Sequence, residues 1–360
     1  MASYREVELL KKESIATAGT KTIDVNTVDP ISAIDVIWKK TNSNRTPIAH
    51  PGKIIKSIEV VDGADVLFSM NGQDAQALAY YQTGKVPGAM INYETGQWSM
   101  QHARIHFGRH LFDAIYALDP RRFNNLQIKI AHDLDLGGAT GTVADLSVYL
   151  HCFDERQIEA RGFLLSKEIY SFLPVANAWV YIDLPSDYPI RALMFGANEC
   201  EDGPEYNLAN IKVDEGNGKH ILVESETERY MFQTAARDPL WLEHVIAKPS
   251  AGDTMLSLYC SPHWERTLVA VPTETGQDTA YTSAAGCLYK FMDESGDIFE
   301  GFAMGHVPFG QIYLPFGYGM DEWEYWDIGK SGSGKLSLQA GATPDTDEYV
   351  RAFCQQIRTY

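Results

Sequence analysis

Residues 329–335 read GKSGSGK, close to the loop that cradles phosphates, in which GxxxxGK is followed by Ser or Thr opening a helix. Leu336 takes the hydroxyl position, so no oxygen is offered to magnesium, and the following LSLQA alternates as a strand does. The preceding DEWEYWDI sets four carboxylates beside the supposed phosphate site. A flexible hairpin loop is therefore expected. His102, His106 and His110 stand four apart in QHARIHFGRH, a spacing that lines one helical face as a metal site requires. On a strand the same spacing separates neighbours by about 13 Å, too far for one ion. Gly108 with Ile105 and Phe107 favours the extended form and a structural role. The acidic run Asp293, Glu294, Ser295, Gly296, Asp297 offers oxygens to calcium but lacks the Glu that closes a twelve-residue EF-hand loop, and reads as a solvated hairpin.

No nucleophile elbow, HExxH, Cys-His pairing or dinucleotide fingerprint occurs, and acids are too numerous for any pair to be singled out as glycosidase carboxylates. No catalytic, cofactor-binding or metal-binding residues are assigned, and the chain is not expected to be an enzyme. The aromatic series Phe309, Tyr313, Phe316, Tyr318, Trp323, Tyr325 and Trp326 suits sugar stacking or a packed subunit contact, and with its surrounding glycines is expected in a core-and-interface role. Asn44-Arg45-Thr46 matches the glycosylation tripeptide but reads as a polar loop.

Composition narrows the class further. With 30 Lys and Arg against 48 Asp and Glu, the formal charge of -18 repels phosphate backbones and anionic headgroups, so direct nucleic-acid binding is not expected. No apolar run approaches a membrane span, and the charged start MASYREVELLKKES lacks the character of a signal peptide, which predicts synthesis in a cytoplasm. Cys152, Cys200, Cys260, Cys287 and Cys354 are odd in number and widely spaced, so neither a disulfide framework nor a zinc site is predicted.

The elements that must position these residues are mostly strands. Two-residue alternation marks residues 31–39 (ISAIDVIWK), 54–61, 65–70, 99–107, 126–132 and 143–153. A short helix interrupts them at 73–82 (QDAQALAYYQ). The second half repeats the plan, with strands at 163–172, 178–182, 190–195, 211–213 and 220–223, a helix at 224–236, and further strands to residue 358. Ile58 to Gly63 (IEVVDG) lies over Ile211 to Gly216 (IKVDEG) at an offset of 153, since 211 minus 58 is 153, and both are followed by a strand and a helix. That is an internal duplication one domain long. Residues 2–13, with Val7, Leu9 and Leu10 at helical spacing, read as a short docking arm.

Two β domains of about eight short strands, each interrupted by a helix, indicate consecutive jelly-roll sandwiches in an all-β chain. The stretches HPGKIIKSIEVVDGADVLFSMNG, FGRHLFDAIYALDPRRFNNLQIKI, YIDLPSDYPIRAL and YVRAFCQQIRTY make the chain resemble the double jelly-roll major capsid proteins of tailless icosahedral viruses, the hexon-like lineage with an internal membrane. The apolar spacing at the start and the offset of 153 predict an arm at residues 1–13, a first jelly roll at 14–155 and a second at 160–360. The resemblance implies a structural virion protein forming homotrimeric, pseudo-hexagonal capsomers of an icosahedral shell. Its partners are then neighbouring capsomers, minor capsid or penton proteins, and a membrane reached by the arm. The rival expectation is a two-domain jelly-roll protein that binds or hydrolyses glycans.

Overall fold

The computed structural model describes residues 4–154, 158–198, 202–248, 256–271, 279–282, 287–292 and 298–360. The first half contributes β1 (Tyr4–Ile15), β2 (Ala18–Asp24), β3 (Ile31–Thr41), β4 (Pro47–Ala49), β5 (Ile55–Asp62), β6 (Asp65–Met70), α1 (Gly72–Thr83), β7 (Ala89–Asn92), β8 (Trp98–His106), β9 (Leu126–Asp133), β10 (Gly138–Ala139) and β11 (Val143–Phe153). The second contributes β12 (Gly162–Phe172), β13 (Trp179–Asp183), β14 (Ile190–Ala197), α2 (Pro204–Asn207), β15 (Asn210–Glu215), β16 (His220–Glu226) and α3 (Thr227–Ala235). It continues through β17 (Trp241–Ala247), β18 (Leu256–Tyr259), β19 (Pro262–Val271), β20 (Thr279–Thr282), β21 (Leu288–Met292), β22 (Phe299–Pro308), β23 (Gln311–Pro315), α4 (Ile328–Ser331), β24 (Gly334–Gln339) and β25 (Val350–Thr359).

Alternation decides the strands, and β9 shows it plainly. Leu126, Ile128, Ile130 and His132 are buried while Gln127, Lys129, Ala131 and Asp133 are half-buried. In the first half, β1-β11-β3-β8 form one layer and β2-β9-β5-β6 the other. Ile34, Val36, Ile105 and Val148 from the first layer meet Ile58, Val60, Ile128 and Ile130 from the second in one core. In the second half the layers are β12-β25-β14-β23 and β13-β24-β15-β16, closed over Leu193, Phe195, Ile211, Val213, Leu336 and Cys354.

Each half thus supplies eight sandwich strands, and numbering these from one to eight along the chain gives the same two orders twice: 1-8-3-6 and 2-7-4-5. The fourth and fifth strands, β5 with β6 and β15 with β16, are the hairpins whose sequences align at the 153-residue offset. Gly63 and Gly216 both hold φ +61° in the turns, a conformation glycine adopts without steric cost. A helix follows the fifth strand in both copies, α1 and α3, as the duplication requires. The expected helix at 224–236 starts later, because residues 224–226 extend β16.

The halves are fused by backbone pairing. β6 pairs in parallel with β12 at Phe68 with Ser166 and Ser69 with Lys167, merging two layers into one eight-stranded sheet. The long insertion between α3 and β23 crosses back: β17 pairs in parallel with β7 at Ile91 with Val245, adding β17-β22-β19 to the other layer of the first sandwich.

Two expectations are corrected. Residues 4–15 form the strand β1 and not a helical arm, pairing along β11 from Tyr4 with Phe153 to Ile15 with Ala144. Leu10 and Ile15 enter the core. Cys287 is disulfide-bonded, while Cys152, Cys260 and Cys354 are buried free thiols.

Helix α1 is capped by the Asn71 side chain, which accepts from the Asp74 N–H at 2.8 Å, and ends on Gly84 in the left-handed conformation. Asp74 is fully buried, and burial pushes its carboxyl up to about 6, with Arg351 at 3.8 Å and Asn198 opposing this only in part. Its folded value lies above the unfolded value of about 3.9, so this group's contribution falls as pH rises from about 4 to above 6, by about 2 to 3 kcal/mol in all. Asp74→Asn keeps the shape without the charge. It should raise stability at pH 8 by about 1 to 2 kcal/mol in urea unfolding and flatten the slope between pH 4 and 6. A loss of stability at pH 8 contradicts this account.

Candidate functional site

Strand β8 places His102 and His106, with Arg104 between them, on the sheet face turned away from the sandwich core, which Ala103 and Ile105 enter. Asp35 of β3 lies on the same outer face, directly across from Arg104. Arg104 donates Nε and Nη2 to its carboxylate at 2.6 Å each, His151 Nε2 lies 2.8 Å from Oδ2, and His102 Nε2 lies 3.1 Å from Oδ1. Burial raises the Asp35 carboxyl, yet Arg104, His102 and His151 together outweigh it and hold the group well below the usual carboxylate range. Of the three spaced histidines, His102 alone joins this charge network. Among the described residues no group of three His, Cys, Asp or Glu is arranged to hold a metal. His110 sits in the loop beyond β8 and takes no part in the Asp35 network.

The segment 329–335 does not form a hairpin loop. Residues Ile328–Ser331 make one helical turn, Gly332 ends it at φ +86°, and β24 follows at once. Lys330 pairs with Asp327 at 3.0 Å and Lys335 reaches Asp183 at 3.8 Å. A strand follows where a phosphate loop needs a helix. The acidic run 293–297 lies outside the described residues. The aromatic series divides: Phe309, Tyr313, Tyr325 and Trp326 are buried, whereas Tyr318 and Trp323 are 94% and 82% exposed on the loop after β23.

A further set of residues has a catalytic look that the sequence did not announce. Ser261 Oγ lies 3.2 Å from His50 Nε2 and donates to Glu243 Oε2 at 2.5 Å. His50 Nδ1 accepts the Gly52 N–H at 2.9 Å, so its proton sits on Nε2 and no basic nitrogen faces the serine. All three are buried. The network binds the insertion to the first sandwich, with the Trp241 indole donating to Glu243 at 3.2 Å.

The outer face of β13-β24-β15-β16 is a shallow cleft of about 370 Å³, where Trp179 and Tyr181 stack with ring centroids 6.4 Å apart beside Lys212, Asp214 and Glu224. On the helix side, Phe232 of α3 is 67% exposed and rests edge-on against Trp264.

No protein-family model matches the chain and no curated protein matches it. Solved structures do. The STIV MCP superposes with a TM-score of 0.62 at 10% identity, covering 99% of this chain and 97% of that one. The major capsid protein of bacteriophage PM2 gives 0.55 at 11% identity, covering 99% and 98%. The PBCV-1 virus capsid gives 0.54 at 10% identity, covering 98% and 93%. The chain has the double jelly-roll fold. Identity near 10% means that the double jelly roll is kept here by burial pattern and strand order rather than by particular side chains, and no site residue passes across from those proteins. Asp35, Arg104, Glu243 and Trp241 went unassigned in the sequence because the partners that give them meaning are brought beside them only by strand pairing and by the fold. The one legible signal was Asp35 itself, a lone acid within the apolar run ISAIDVIW.

Proposed function

We propose that this chain is a structural virion protein, a capsid protein that works by assembling and not by catalysis. The observation that carries the reading is the double jelly roll matched from end to end, with nearly the full length of each capsid protein covered in return. Homotrimeric, pseudo-hexagonal capsomers in an icosahedral shell are the finer form of the proposal, with the chain passing from the first jelly roll to the second at about residues 155–160. The exposed aromatics Trp179, Tyr181, Phe232, Tyr318 and Trp323 are of the type enriched at protein contacts. With residues 4–15 held in a strand, any minor shell protein or internal membrane is met by sandwich surfaces and loops instead of a free helical arm. The glycan reading has the Trp179 and Tyr181 cleft in its favour, but the buried Ser261, His50 and Glu243 set supplies no hydrolytic centre.

Three copies weigh three times 40.2, or 120.6 kDa, and carry three times -18, or -54, formal charges. At about 0.15 M salt the Debye length is roughly 8 Å, so repulsion acts at the seams between capsomers and little beyond them. Light scattering should give a 120.6 kDa particle from low to high salt, with larger assemblies disfavoured at low salt. Electron microscopy of the same material should show hexagonal-looking particles. A monomer of 40.2 kDa at every salt concentration and micromolar protein would overturn the proposal.

A further inference from the structure

Between the end of α1, the outer face of β8 and the loop after it lies a cleft of about 450 Å³, within the size range of small-molecule sites. It is lined by Gln82, Lys85, His102, Arg104, His106 and Arg109 among others, and no Asp or Glu is among the described lining residues. That is unexpected in a chain where acids outnumber bases 48 to 30. His106 is 5% exposed and neither of its ring nitrogens has a hydrogen-bond partner; the buried Gln82 Nε2 has none either. Buried polar atoms without partners are rare, and here they border one cavity.

The cations are held but not exhausted. Arg109 donates Nε and Nη2 to Asp113 and Nη1 to the Met320 carbonyl, which uses three of five N–H groups. Arg104 turns Nε and Nη2 to Asp35 and leaves Nη1 without a partner among the described residues. Lys85 forms no ion pair among them. At the end of α1 the Thr83 hydroxyl donates to the Ala79 carbonyl and the Gly84 N–H to the Tyr80 carbonyl.

Burial and the neighbouring Arg104 push His106 down to about 3, so the ring is neutral at physiological pH. It then has one nitrogen that donates and one that accepts. The site as a whole wants an oxyanion that accepts from Gln82, Arg104, Arg109 and Lys85, and that also carries one O–H to give to His106. We infer that this cleft is a binding site for a phosphate group, free or on a small phosphate monoester, gripped by the Gln82 amide and the basic side chains with His106 accepting its P–OH. The inference does not depend on the assembly role.

Titration calorimetry with inorganic phosphate, glycerol 3-phosphate and sulfate, slightly below neutral pH at fixed ionic strength, tests it. One phosphate per chain should bind, about tenfold or more tighter than sulfate, which has the same shape but no proton to give. Tighter binding of glycerol 3-phosphate than of inorganic phosphate assigns the rest of the cleft to an organic substituent, and equal binding assigns the site to the free ion. Lys85→Glu, on an exposed side chain whose change leaves the fold intact, and His106→Leu should each weaken phosphate about tenfold or more. No saturable phosphate binding, equal binding of sulfate, or unchanged affinity in Lys85→Glu overturns the inference.

Discussion

Deleting residues 1–15 should cost the protein on the order of 5 kcal/mol and bring soluble yield down with it, as strand loss strips Leu10 and Ile15 from the core. β1 is the edge of its layer, and beside it β11 (Val143–Phe153) pairs with it from Phe153 opposite Tyr4 to Ala144 opposite Ile15. Removing the strand bares a long β edge that templates association with other chains. Urea unfolding of full-length and truncated chains measures the first effect, and size-exclusion profiles at rising concentration the second. A truncated chain with an unchanged midpoint and the same oligomer would mean that β1 docks without supporting the sandwich, as an arm does.

The same strand shows where sequence reading failed. Val7, Leu9 and Leu10 do not keep a two-residue period because the ladder with β11 slips between Glu8 and Leu10 and again between Leu10 and Glu13, with Lys12 at φ 42°. A doubly bulged strand shifts its apolar residues to spacings that a helix would also give. Where no bulge intervenes, as in β9, alternation alone identified the strand. The duplication was legible because the turn glycines Gly63 and Gly216 and the strands beside them answer to local rules. The pairing of β17 with β7 answers to none: residues 91 and 245 meet only because the second half sends its insertion back over the first. The histidine spacing was visible, but its meaning depended on Asp35, which lies 67 residues before His102 in sequence, as 102 minus 35 shows, and beside it in space.

Asp35→Ala is therefore expected to be the most damaging single substitution on that outer face. The Asp35 side chain is 10% exposed and accepts two hydrogen bonds at 2.6 Å from Arg104, and its loss leaves a guanidinium and two imidazoles facing one another. Breaking a buried pair by removing one partner costs roughly 3 to 5 kcal/mol, and the partly open Arg104 places this one near about 3. The double variant Asp35→Leu with Arg104→Leu should regain much of that, because no charge is left unpaired, and a double-mutant cycle in urea would report the coupling. The pH dependence separates this group from Asp74. Asp35 has a folded value below its unfolded one, so its contribution is complete above about pH 4 and is lost as acid carries it down through the folded value. Asp74 has its folded value above its unfolded one and loses stability in the other direction, as pH rises through about 6. Asp35→Ala should accordingly flatten the acid limb of the stability profile and leave the limb above pH 4 parallel to the parent, displaced downward. A displacement of under about 1 kcal/mol at pH 7 would place the Asp35 network with ordinary surface ion pairs. His102, Arg104 and His151 would then hold their positions through the β-ladder alone.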